Sequence, residues 1–463
     1  MGTGTPGATP SGTVPAELAA ACPVVRAAGP ADQIAGVRAR YVAAPASTDE
    51  AAALLRAAAG LGLTLVPHGS GRRQHWGNPP TSCDLIVDTG RLDKVVEHAA
   101  GDLIVTVQAG VRLPDLSELL AAAGQRLAIG PRTVVEGGTV GGLLATNAAD
   151  SRRYRYGAPR DLLIGITVVR ADGVIARAGG KVVKNVAGYD LGKLFAGSYG
   201  TLGLITEATF RLHPLPGVAM GLGVQRRDAE SAAAMVQTIH GSPVAPSWID
   251  LRWPSPAAPI WLHVGLEGDR ESVLTQAERL RALVGPALLP RVQPDVATVQ
   301  EFGSPGHDSS PEAAAPARRT EDQLRADLQN PALDNGTLVR VAFWVGQLAQ
   351  VLTAIQAAAA SNGVDVAIEG SAGAGVLQAR APADSAPAAV AGFVADLRAG
   401  LSGLGGGSVV PSVASAVVVY APDEVRSVTD VWGPVPSLHL MRAVKDQFDP
   451  ECRMAPGRFA GGI

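Results

Sequence analysis

Hydrophobic residues recur along this chain with two different periods, and the two periods predict a mixture of helices and strands. Ser47 and Glu50 have the spacing of a helix capping box, and apolar residues at helical spacing follow them. Residues 63–67 predict a short strand, which leads directly into the sequence His-Gly-Ser-Gly-Arg at 68–72. The pattern therefore predicts a capped helix, a strand and a glycine-rich loop in immediate succession.

The rest of the pattern gives the element order of an α+β protein. In the N-terminal half, strands are predicted at 84–88, 103–108, 166–170, 174–177 and 204–212, and helices at 114–124 and 189–195. From residue 217 onward, helices are predicted at 228–239, 272–284 and 346–361, alternating with strands such as 261–266 and 337–345. These elements lack the regular β-α alternation of a doubly wound sheet, so we expect mixed strands instead.

Changes in composition along the sequence predict its domain boundaries. We expect a flexible arm at 1–35, an N-terminal domain at 36–216, a cap domain at 217–425, and a C-terminal helix and tail at 426–463 that return to the N-terminal domain. Within the cap, residues 304–319 are rich in Pro, Ala and Ser and predict a disordered loop. The 463 residues leave room for at least two domains of about 150 residues each.

Charge and composition exclude several classes of protein. The 39 Lys and Arg residues nearly balance the 42 Asp and Glu residues, so the protein lacks the polycationic surface of a nucleic-acid-binding protein. Its three cysteines lie far apart, at 22, 83 and 452, which predicts neither a disulfide framework nor a metal site. No segment has the apolar length of a membrane span, and residues 1–14 lack the basic residues of a secretory signal. We therefore expect a cytoplasmic protein.

Four glycine-bearing segments stand out in the N-terminal half, at 69–71, 137–142, 179–180 and 197–203. Glycine lets the backbone approach a ligand closely and point its N–H groups at an anion. A single cluster is explained more simply as a tight turn, but four clusters in one domain favour a phosphate-binding site. The known phosphate motifs are absent, because no G-x-G-x-x-G opens a helix after the first strand and Val182 breaks the Walker A pattern.

Residues 67–72 resemble the pyrophosphate-binding loop of the FAD-linked oxidases, the family of vanillyl-alcohol oxidase with a PCMH-type FAD-binding domain. Further segments resemble that family in order and spacing, namely 72–80, 88–93, 138–142, 145–147, 153–157, 160–161, 184–191, 200–207, 448–450 and 456–458. Within the family, the sequence is most similar to the E-type FAD-binding subunits of glycolate oxidase. The resemblance is dense over 40–216 and returns in the C-terminal tail.

The resemblance implies a fold and a cofactor. The fold is an α+β, PCMH-type FAD-binding domain of two α+β subdomains, with a ferredoxin-like α+β cap domain. Backbone N–H groups of the loop would bind the pyrophosphate of FAD, and the other segments would line the flavin or the adenosine. The residues implied to bind FAD are Pro67, His68, Gly69, Ser70, Gly71, Arg72, Gly130, Pro131, Gly138, Thr139, Gly141, Gly142, Thr146, Asn147, Tyr189, Gly200, Gly203, Leu204, Ile205 and Arg458.

The glycine-rich loop departs from the family pattern at two positions. Family members that attach FAD covalently through this loop carry histidine where Arg72 stands, so the resemblance implies a non-covalent FAD. His68 replaces the common arginine. Its imidazole is either a flavin contact or a solvated side chain of the loop.

A second departure concerns catalysis. The D-2-hydroxy-acid dehydrogenases of the family that consist of one polypeptide hold a divalent metal with histidines in G-D-G-N-x-H and E-H-G motifs. Residues 363–380 of this sequence contain no histidine. The eight histidines show no ligand spacing, so we expect no metal site. Arg340, on a predicted cap strand, is the candidate catalytic residue, because a guanidinium binds a substrate carboxylate through paired hydrogen bonds. The alternative is a surface arginine on an edge strand.

The resemblance implies a function in the oxidation of 2-hydroxy acids. The leading hypothesis is an FAD-binding oxidoreductase subunit of a complex that oxidises glycolate or D-lactate. Its partners would be a second FAD-containing, hydroxy-acid-oxidising subunit and an iron–sulfur subunit, and it would reach a membrane only through a partner. Two alternatives stay open: a stand-alone, metal-independent FAD-dependent dehydrogenase of a small hydroxy acid or alcohol, and a non-catalytic assembly protein with a vestigial cofactor site.

Overall fold

The first subdomain is a four-stranded sheet packed against two helices. The computed structural model describes residues 13–135, 137–180, 190–285, 289–291, 336–404 and 414–463. The elements of this subdomain are α1 (Ala16–Ala21), β1 (Val25–Ala27), β2 (Gln33–Ile34), β3 (Val37–Arg38), β4 (Tyr41–Ala43), α2 (Thr48–Gly60), β5 (Leu65–His68) and β6 (Leu85–Asp88). The sheet has the order β1-β4-β6-β5, and β4 and β5 both run parallel to β6. The loop after β5 therefore leaves the sheet beside the end of β6.

The first described residues correct the prediction of a flexible arm over 1–35. Leu18 of α1 is fully buried and belongs to the same apolar cluster as Leu54 and Leu55 of α2. Strand β1 pairs with β4, with Val25 opposite Ala43. Apolar burial and a strand ladder thus fix this segment on the sheet, and the prediction is wrong for 13–35. Residues 1–12 lie outside the described residues.

The second subdomain is a five-stranded antiparallel sheet in the order β11-β10-β12-β8-β7. Its elements, together with the short pair β9 and β13, are β7 (Val95–Ala99), β8 (Ile104–Gln108), α3 (Leu113–Ala122), β9 (Gln125–Arg126), α4 (Pro131–Val135), α5 (Val140–Thr146), α6 (Arg153–Tyr156), α7 (Pro159–Leu162), β10 (Leu163–Val169), β11 (Ile175–Gly179), α8 (Leu191–Phe195), β12 (Leu204–Arg211) and β13 (His213–Pro214). Asp172 and Gly173 connect β10 to β11, as the sequence predicts, and Phe195 and Phe210 are fully buried in the core.

The cap is one antiparallel sheet of eight strands in the order β17-β14-β16-β15-β19-β20-β18-β21. Its elements are β14 (Val218–Arg226), α9 (Ala229–His240), β15 (Trp248–Trp253), β16 (Ile260–Gly268), α10 (Arg270–Val284), β17 (Leu289–Arg291), β18 (Thr337–Ala342), α11 (Leu348–Ser361), β19 (Ala367–Ser371), β20 (Val376–Ala381), α12 (Pro387–Ser402) and β21 (Ser415–Tyr420). The predicted ferredoxin-like unit, β-α-β-β-α-β with strand order 4-1-3-2, occurs twice. The two units join where β15 pairs with β19. The predicted loop at 304–319 lies outside the described residues.

The two faces of the cap sheet differ in polarity because side chains alternate along each strand. On β18, Val339 and Val341 belong to the apolar cluster beneath the cap helices, so Arg340 between them is on the opposite face. That face is directed toward the N-terminal domain, because two of its carboxylates form ion pairs with arginines of that domain. Glu267 of β16 pairs with Arg126, and Glu369 of β19 pairs with Arg132. The cap thus presents a polar roof to the N-terminal domain.

The tail follows α13 (Asp423–Arg426) and α14 (Leu438–Phe448) and lies against the N-terminal domain. The buried Nζ of Lys445 donates to Asp449 Oδ2 at 2.6 Å and to the carbonyl oxygen of Thr201 at 2.7 Å. The N–H of Leu65 in β5 donates to the carbonyl oxygen of Arg453 at 2.9 Å. The tail therefore adds to the first sheet beside the strand that precedes the glycine-rich loop. Among the described helices, none is long and apolar enough to cross a membrane.

Candidate cofactor site

A cleft of about 770 Å³, measured to its open mouth, lies between the two subdomains. Three separate stretches of sequence form its walls: the loop after β5, the start of α5, and the turn that leads into β12. Most of the predicted FAD-binding residues line it: Pro67, His68, Gly69, Ser70, Gly71, Arg72, Gly138, Thr139, Gly141, Gly142, Thr146, Gly200, Gly203, Leu204, Ile205 and Arg458. The fold thus brings together segments that lie far apart in the sequence.

The loop after β5 presents unpaired backbone donors to the cleft. The N–H groups of Gly69, Ser70, Gly71 and Arg72 make no hydrogen bond to any residue in the described part of the protein. Gly71 has a φ of +76°, a backbone conformation that glycine adopts without strain. Consecutive N–H groups turned toward one space form an anion-binding concavity. This loop is therefore suited to a phosphate or pyrophosphate group.

The loop is fixed from behind by Arg458 of the tail. Its buried guanidinium donates to Gln74 Oε1 at 2.9 Å and to the carbonyl oxygens of Gln74 and Trp76 at 2.9 and 3.0 Å. Gln74 in turn donates from Nε2 to the carbonyl oxygen of Pro67 at 3.1 Å. Burial lowers the pKa of Arg458 to about 10, so the guanidinium stays charged at neutral pH. Arg458 thus borders the cleft and holds the loop in shape.

Glycine is required where the cleft walls meet. A Cβ on Gly69 would lie 2.5 Å from Thr139 Oγ1, and a Cβ on Gly141 would lie 3.0 Å from that of Ala109. Thr139 also caps α5, because its Oγ1 accepts a hydrogen bond from the N–H of Gly142 at 3.2 Å. The walls therefore approach each other through backbone, which leaves a narrow space with exposed N–H groups. A dinucleotide such as FAD fits this combination of free donors and close backbone walls.

The remaining predicted residues lie elsewhere. Gly130 is not in the cleft wall. A Cβ there would coincide with the carboxylate of Asp150, so packing against Asp150 requires the glycine. Asn147 ends α5 with a φ of +46°, and its Oδ1 accepts a hydrogen bond from the N–H of Arg160 at 3.2 Å. Pro131 begins α4, and Tyr189 lies outside the described residues.

His68 is part of the cleft wall. The position of a Cβ on Gly71 is 3.3 Å from His68 Nε2, so the imidazole folds over the loop. Burial lowers the pKa of His68, although the charges of Asp88 and Asp32 partly offset that effect. The side chain is therefore neutral at neutral pH and is not freely solvated.

Tyr199 is the main cleft residue that sequence reasoning missed. It has a φ of +57°, and its ring lies 5.1 Å from Trp432 and 5.6 Å from Phe459, centroid to centroid. Burial raises the pKa of its phenol, while the charges of Arg340, Arg458 and Arg73 act in the opposite direction. Its position between Gly197 and Gly203 was the available signal. The other cleft residues that were not predicted individually are Val66, Arg73, Gln74, Thr89 and Ala145, and all but Val66 lie in segments that resemble the family.

Arg340 lies beside the cleft but is not in its wall. Strand β18 pairs with β20 on one side and β21 on the other, so Arg340 is not on an edge strand. Its charge acts on the pKa values of Tyr199 and of Arg153, both in the N-terminal domain. The predicted carboxylate-binding residue therefore lies in the polar roof, near the point where the roof meets the cleft.

The site is thus a strand and a glycine-rich loop between two α+β subdomains, under an antiparallel cap. Residues 39–179 match the family described as FAD binding domain. The protein therefore contains an FAD-binding domain, as the sequence predicts.

Several curated proteins are similar to part of this chain. It is 35% identical over 209 residues to glycolate oxidase subunit GlcD of Bacillus subtilis (strain 168), 45% of this chain and 44% of that protein. It is 36% identical to glycolate oxidase subunit GlcE of Escherichia coli (strain K12), 37% of this chain and 47% of that protein. It is 36% identical to the D-lactate dehydrogenase of Archaeoglobus fulgidus over 37% of this chain and 38% of that protein. The similarity thus spans less than half the length of these relatives.

The fold also has solved counterparts. The structure of p-cresol methylhydroxylase with substrate bound matches 96% of this chain and 95% of its own length, with a TM-score of 0.68 and 15% identity. This likeness shows a shared fold of N-terminal domain and cap. Within the described residues, no group of three or more His, Cys, Asp or Glu side chains is placed to hold a metal ion.

Proposed function

We propose that this protein is an FAD-binding oxidoreductase subunit that oxidises a small 2-hydroxy acid of the glycolate or D-lactate class within a larger complex. The observation that carries the proposal is the set of free N–H groups at 69–72, in a cleft beside a cap arginine. FAD supplies the redox chemistry when bound, and the protein supplies binding, orientation and electrostatics.

Residues at different positions in the site have different roles. The loop at 69–72 binds the pyrophosphate through backbone donors, and Arg458 keeps that loop in shape. The polar roof of the cap limits the access of water to the cleft. Arg340 in that roof binds the carboxylate of the substrate, because a guanidinium can form two parallel hydrogen bonds with it.

The relatives support a complex as the working unit. Two of them are named as subunits of glycolate oxidase, which favours a second FAD-containing subunit as a partner. The three cysteines of this sequence are fewer than the four ligands of a common iron–sulfur cluster, so such a cluster would belong to a separate subunit. We place the complex in the cytoplasm, with any contact to a membrane made by a partner.

One observation favours the stand-alone dehydrogenase as a second candidate. The charge of Arg340 in the cap acts on Arg153 of the N-terminal domain, so two positive charges face the space between cap and N-terminal domain, as a site for an acidic substrate requires. One relative is named D-lactate dehydrogenase, with no mention of a subunit.

The test is anaerobic mixing of the FAD-loaded protein with glycolate or D-lactate while the flavin absorbance is recorded. Loss of the flavin bands with this protein alone supports the stand-alone enzyme. Loss only after the partner subunits are added supports the complex. Bands that respond to dithionite but to neither acid, with or without partners, contradict hydroxy-acid oxidation. Failure of the purified protein to bind added FAD contradicts the whole proposal.

The same preparation tests the attachment of FAD. Acid precipitation is expected to release the flavin into the supernatant, because the proposal makes its binding non-covalent. Yellow colour that stays with the precipitated protein would contradict this part of the proposal.

A further inference from the structure

The wall of the cleft carries basic side chains and no acidic ones. Arg72, Arg73 and Arg458 line it, and none of the described residues that line it is Asp or Glu. The loop at 69–72 adds its backbone N–H groups on the same side. A wall with this distribution of charge is complementary to an anion such as the diphosphate of FAD.

His68 is the basic residue of this wall whose charge can change near neutral pH. Its carbonyl oxygen accepts hydrogen bonds from the N–H and the hydroxyl of Thr89, at 2.8 and 3.1 Å, so the backbone at the end of β5 is held in place. Its Nε2 lies 3.3 Å from the position of a Cβ on Gly71, directly at the loop. Neither ring nitrogen makes a hydrogen bond to any residue that the structure describes. The imidazole is therefore available to a ligand in the cleft.

Two carboxylates of the first subdomain act on His68. Asp88 lies opposite it on β6, and its Oδ1 accepts a hydrogen bond from the N–H of Gly90 at 2.8 Å. Asp32 forms an ion pair with Arg26 of β1 at 2.6 Å. Burial lowers the pKa of His68, and the charges of Asp88 and Asp32 offset this effect only in part. The imidazole of the protein by itself is therefore neutral at neutral pH.

We propose that His68 is a cofactor-binding residue that becomes protonated when the diphosphate of FAD enters the cleft, so that binding of the cofactor takes up a proton. The proton passes from solvent to the imidazole, and the imidazolium donates a hydrogen bond to the diphosphate. A nearby anion favours the charged form of a histidine, and a charge-assisted hydrogen bond is stronger than a neutral one. The identity of the anion as FAD rests on the proposed function.

The affinity for FAD is therefore expected to fall as the pH rises. Because the complex has the higher pKa of His68, binding is tightest below the pKa of the free protein and weakest above the pKa of the complex. An ordinary histidine has a pKa of about 6.5, so this window includes neutral pH. We expect the dissociation constant to be at least about five-fold higher at pH 8 than at pH 6, since a shift of one pKa unit is worth about ten-fold in affinity.

The experiment is calorimetric titration of the full-length apoprotein with FAD and with ADP at pH 7, once in PIPES buffer and once in imidazole buffer. The two buffers differ in their heat of ionisation, so the difference in the measured heat gives the number of protons taken up. We expect uptake with both ligands, because each carries a diphosphate. Riboflavin, which has none, is expected to cause no uptake.

Two substitutions separate the charge of His68 from its hydrogen bond. His68→Arg carries a charge at every pH, so it is expected to bind FAD without proton uptake and with equal affinity at pH 6 and pH 8. His68→Gln keeps a neutral donor, and it is expected to bind FAD at pH 6 as weakly as the parent protein does at pH 8. His439→Gln, which replaces an exposed histidine of α14, is the matched control and is expected to leave proton uptake unchanged.

Absence of proton uptake in the parent protein, or equal uptake in His68→Gln, overturns the inference. The proposed function can fail separately. Uptake that depends on His68, in a protein whose flavin no hydroxy acid reduces, keeps the inference and contradicts hydroxy-acid oxidation. Flavin reduction by glycolate or D-lactate in a protein that binds FAD without proton uptake keeps the proposed function and overturns the inference. Failure to bind both FAD and ADP overturns both.

Discussion

Arg126 of the N-terminal domain donates to Glu267 of the cap at 2.7 Å, and both side chains are buried. Arg152 and Tyr156 donate to the same carboxylate at 3.1 and 3.0 Å. Burial by itself raises the pKa of Glu267, but the hydrogen bond from Arg126 and the charge of Arg152 outweigh it and lower the pKa to about 2. This carboxylate thus accepts hydrogen bonds from three side chains of the N-terminal domain and helps to hold the cap on it.

Glu267→Ala is expected to destabilise the protein by about 3–5 kcal/mol, because it leaves two buried guanidiniums without their counter-ion. The measurement is urea unfolding followed by tryptophan fluorescence. The control is Glu278→Ala, which removes an exposed carboxylate from a surface pair with Arg281 and is expected to cost less than about 1 kcal/mol. Equal effects of the two substitutions would show that the buried network does not hold the cap.

The carboxylate of Glu267 is also expected to make the stability of the protein depend on pH in the acidic range. Because the folded pKa of Glu267 is below its usual value, its stabilising contribution is present above about pH 4.5 and is lost as the pH falls toward 2. Melting temperatures between pH 5 and pH 2.5 are expected to fall less steeply in Glu267→Gln than in the parent protein. Parallel curves would contradict the assignment.

Asp250, on the roof face of the cap, is expected to affect the pH dependence of stability in the opposite direction to Glu267. Burial raises its pKa to about 7; the Ser151 hydroxyl and the charge of Arg132 lower it, and the charges of Asp150 and Glu369 raise it. A raised folded pKa gives stability that is complete below about pH 4 and is lost as the pH rises through 7. Asp250→Asn is therefore expected to raise the melting temperature at pH 8 by about 2 °C or more, with little effect at pH 5.

Calorimetric melting at the two pH values checks this expectation. Asp423→Asn is the control, because that carboxylate is exposed. A gain of the same size at pH 5 and pH 8 would mean that Asp250 titrates as an ordinary carboxyl.

Gly69→Ala is expected to weaken FAD binding about ten-fold or more, because the new methyl group would overlap Thr139 Oγ1 and push the loop out of place. The quenching of FAD fluorescence on binding to the apoprotein measures the effect. Gly60→Ala is the control, since nothing lies within 4 Å of a Cβ there, and it is expected to leave FAD binding unchanged. An unchanged affinity for FAD in Gly69→Ala would contradict the placement of the cofactor at this loop.

Arg458→Lys is expected to lower FAD affinity about ten-fold while the net charge stays the same. Lysine cannot reach Gln74 Oε1 and the two loop carbonyl groups together, so buried acceptors lose their partners. Arg442→Lys, in the exposed part of α14, is the control. If both variants bind FAD equally well, Arg458 does not shape the loop.

The sequence predicts the backbone part of the site better than the side-chain part, and for a physical reason. The sequence indicates Gly69, Gly71 and Gly141 because a close approach of two backbone segments needs glycine at such positions. Gly130 misled the prediction because its requirement comes from the carboxylate of Asp150, and that contact exists only after folding. Tyr199 was missed because it joins the cleft wall through a left-handed backbone conformation, and its place between Gly197 and Gly203 was the one sign of it in the sequence.

The larger architecture shows the same division. A capped helix at Ser47 and a hairpin at Asp172 are local, and the sequence predicts both. The joining of the two ferredoxin-like units into one sheet depends on the pairing of Asp250 in β15 with Ser371 in β19, a contact between distant segments that hydrophobic periodicity does not encode. The N-terminal segment is Ala-rich and predicts a flexible arm, because its few anchors, Leu18 and Cys22 among them, show no helical or strand period in the sequence.

The hydrogen bond from Arg458 to Gln74 joins residues 384 positions apart. During synthesis on the ribosome, the strand and loop that face FAD emerge long before the arginine that holds them in shape. The cleft is therefore finished last, and stable loading with FAD follows translation of the tail. Polypeptides that contain Arg458 would then retain FAD, whereas polypeptides that end before Arg458 would not.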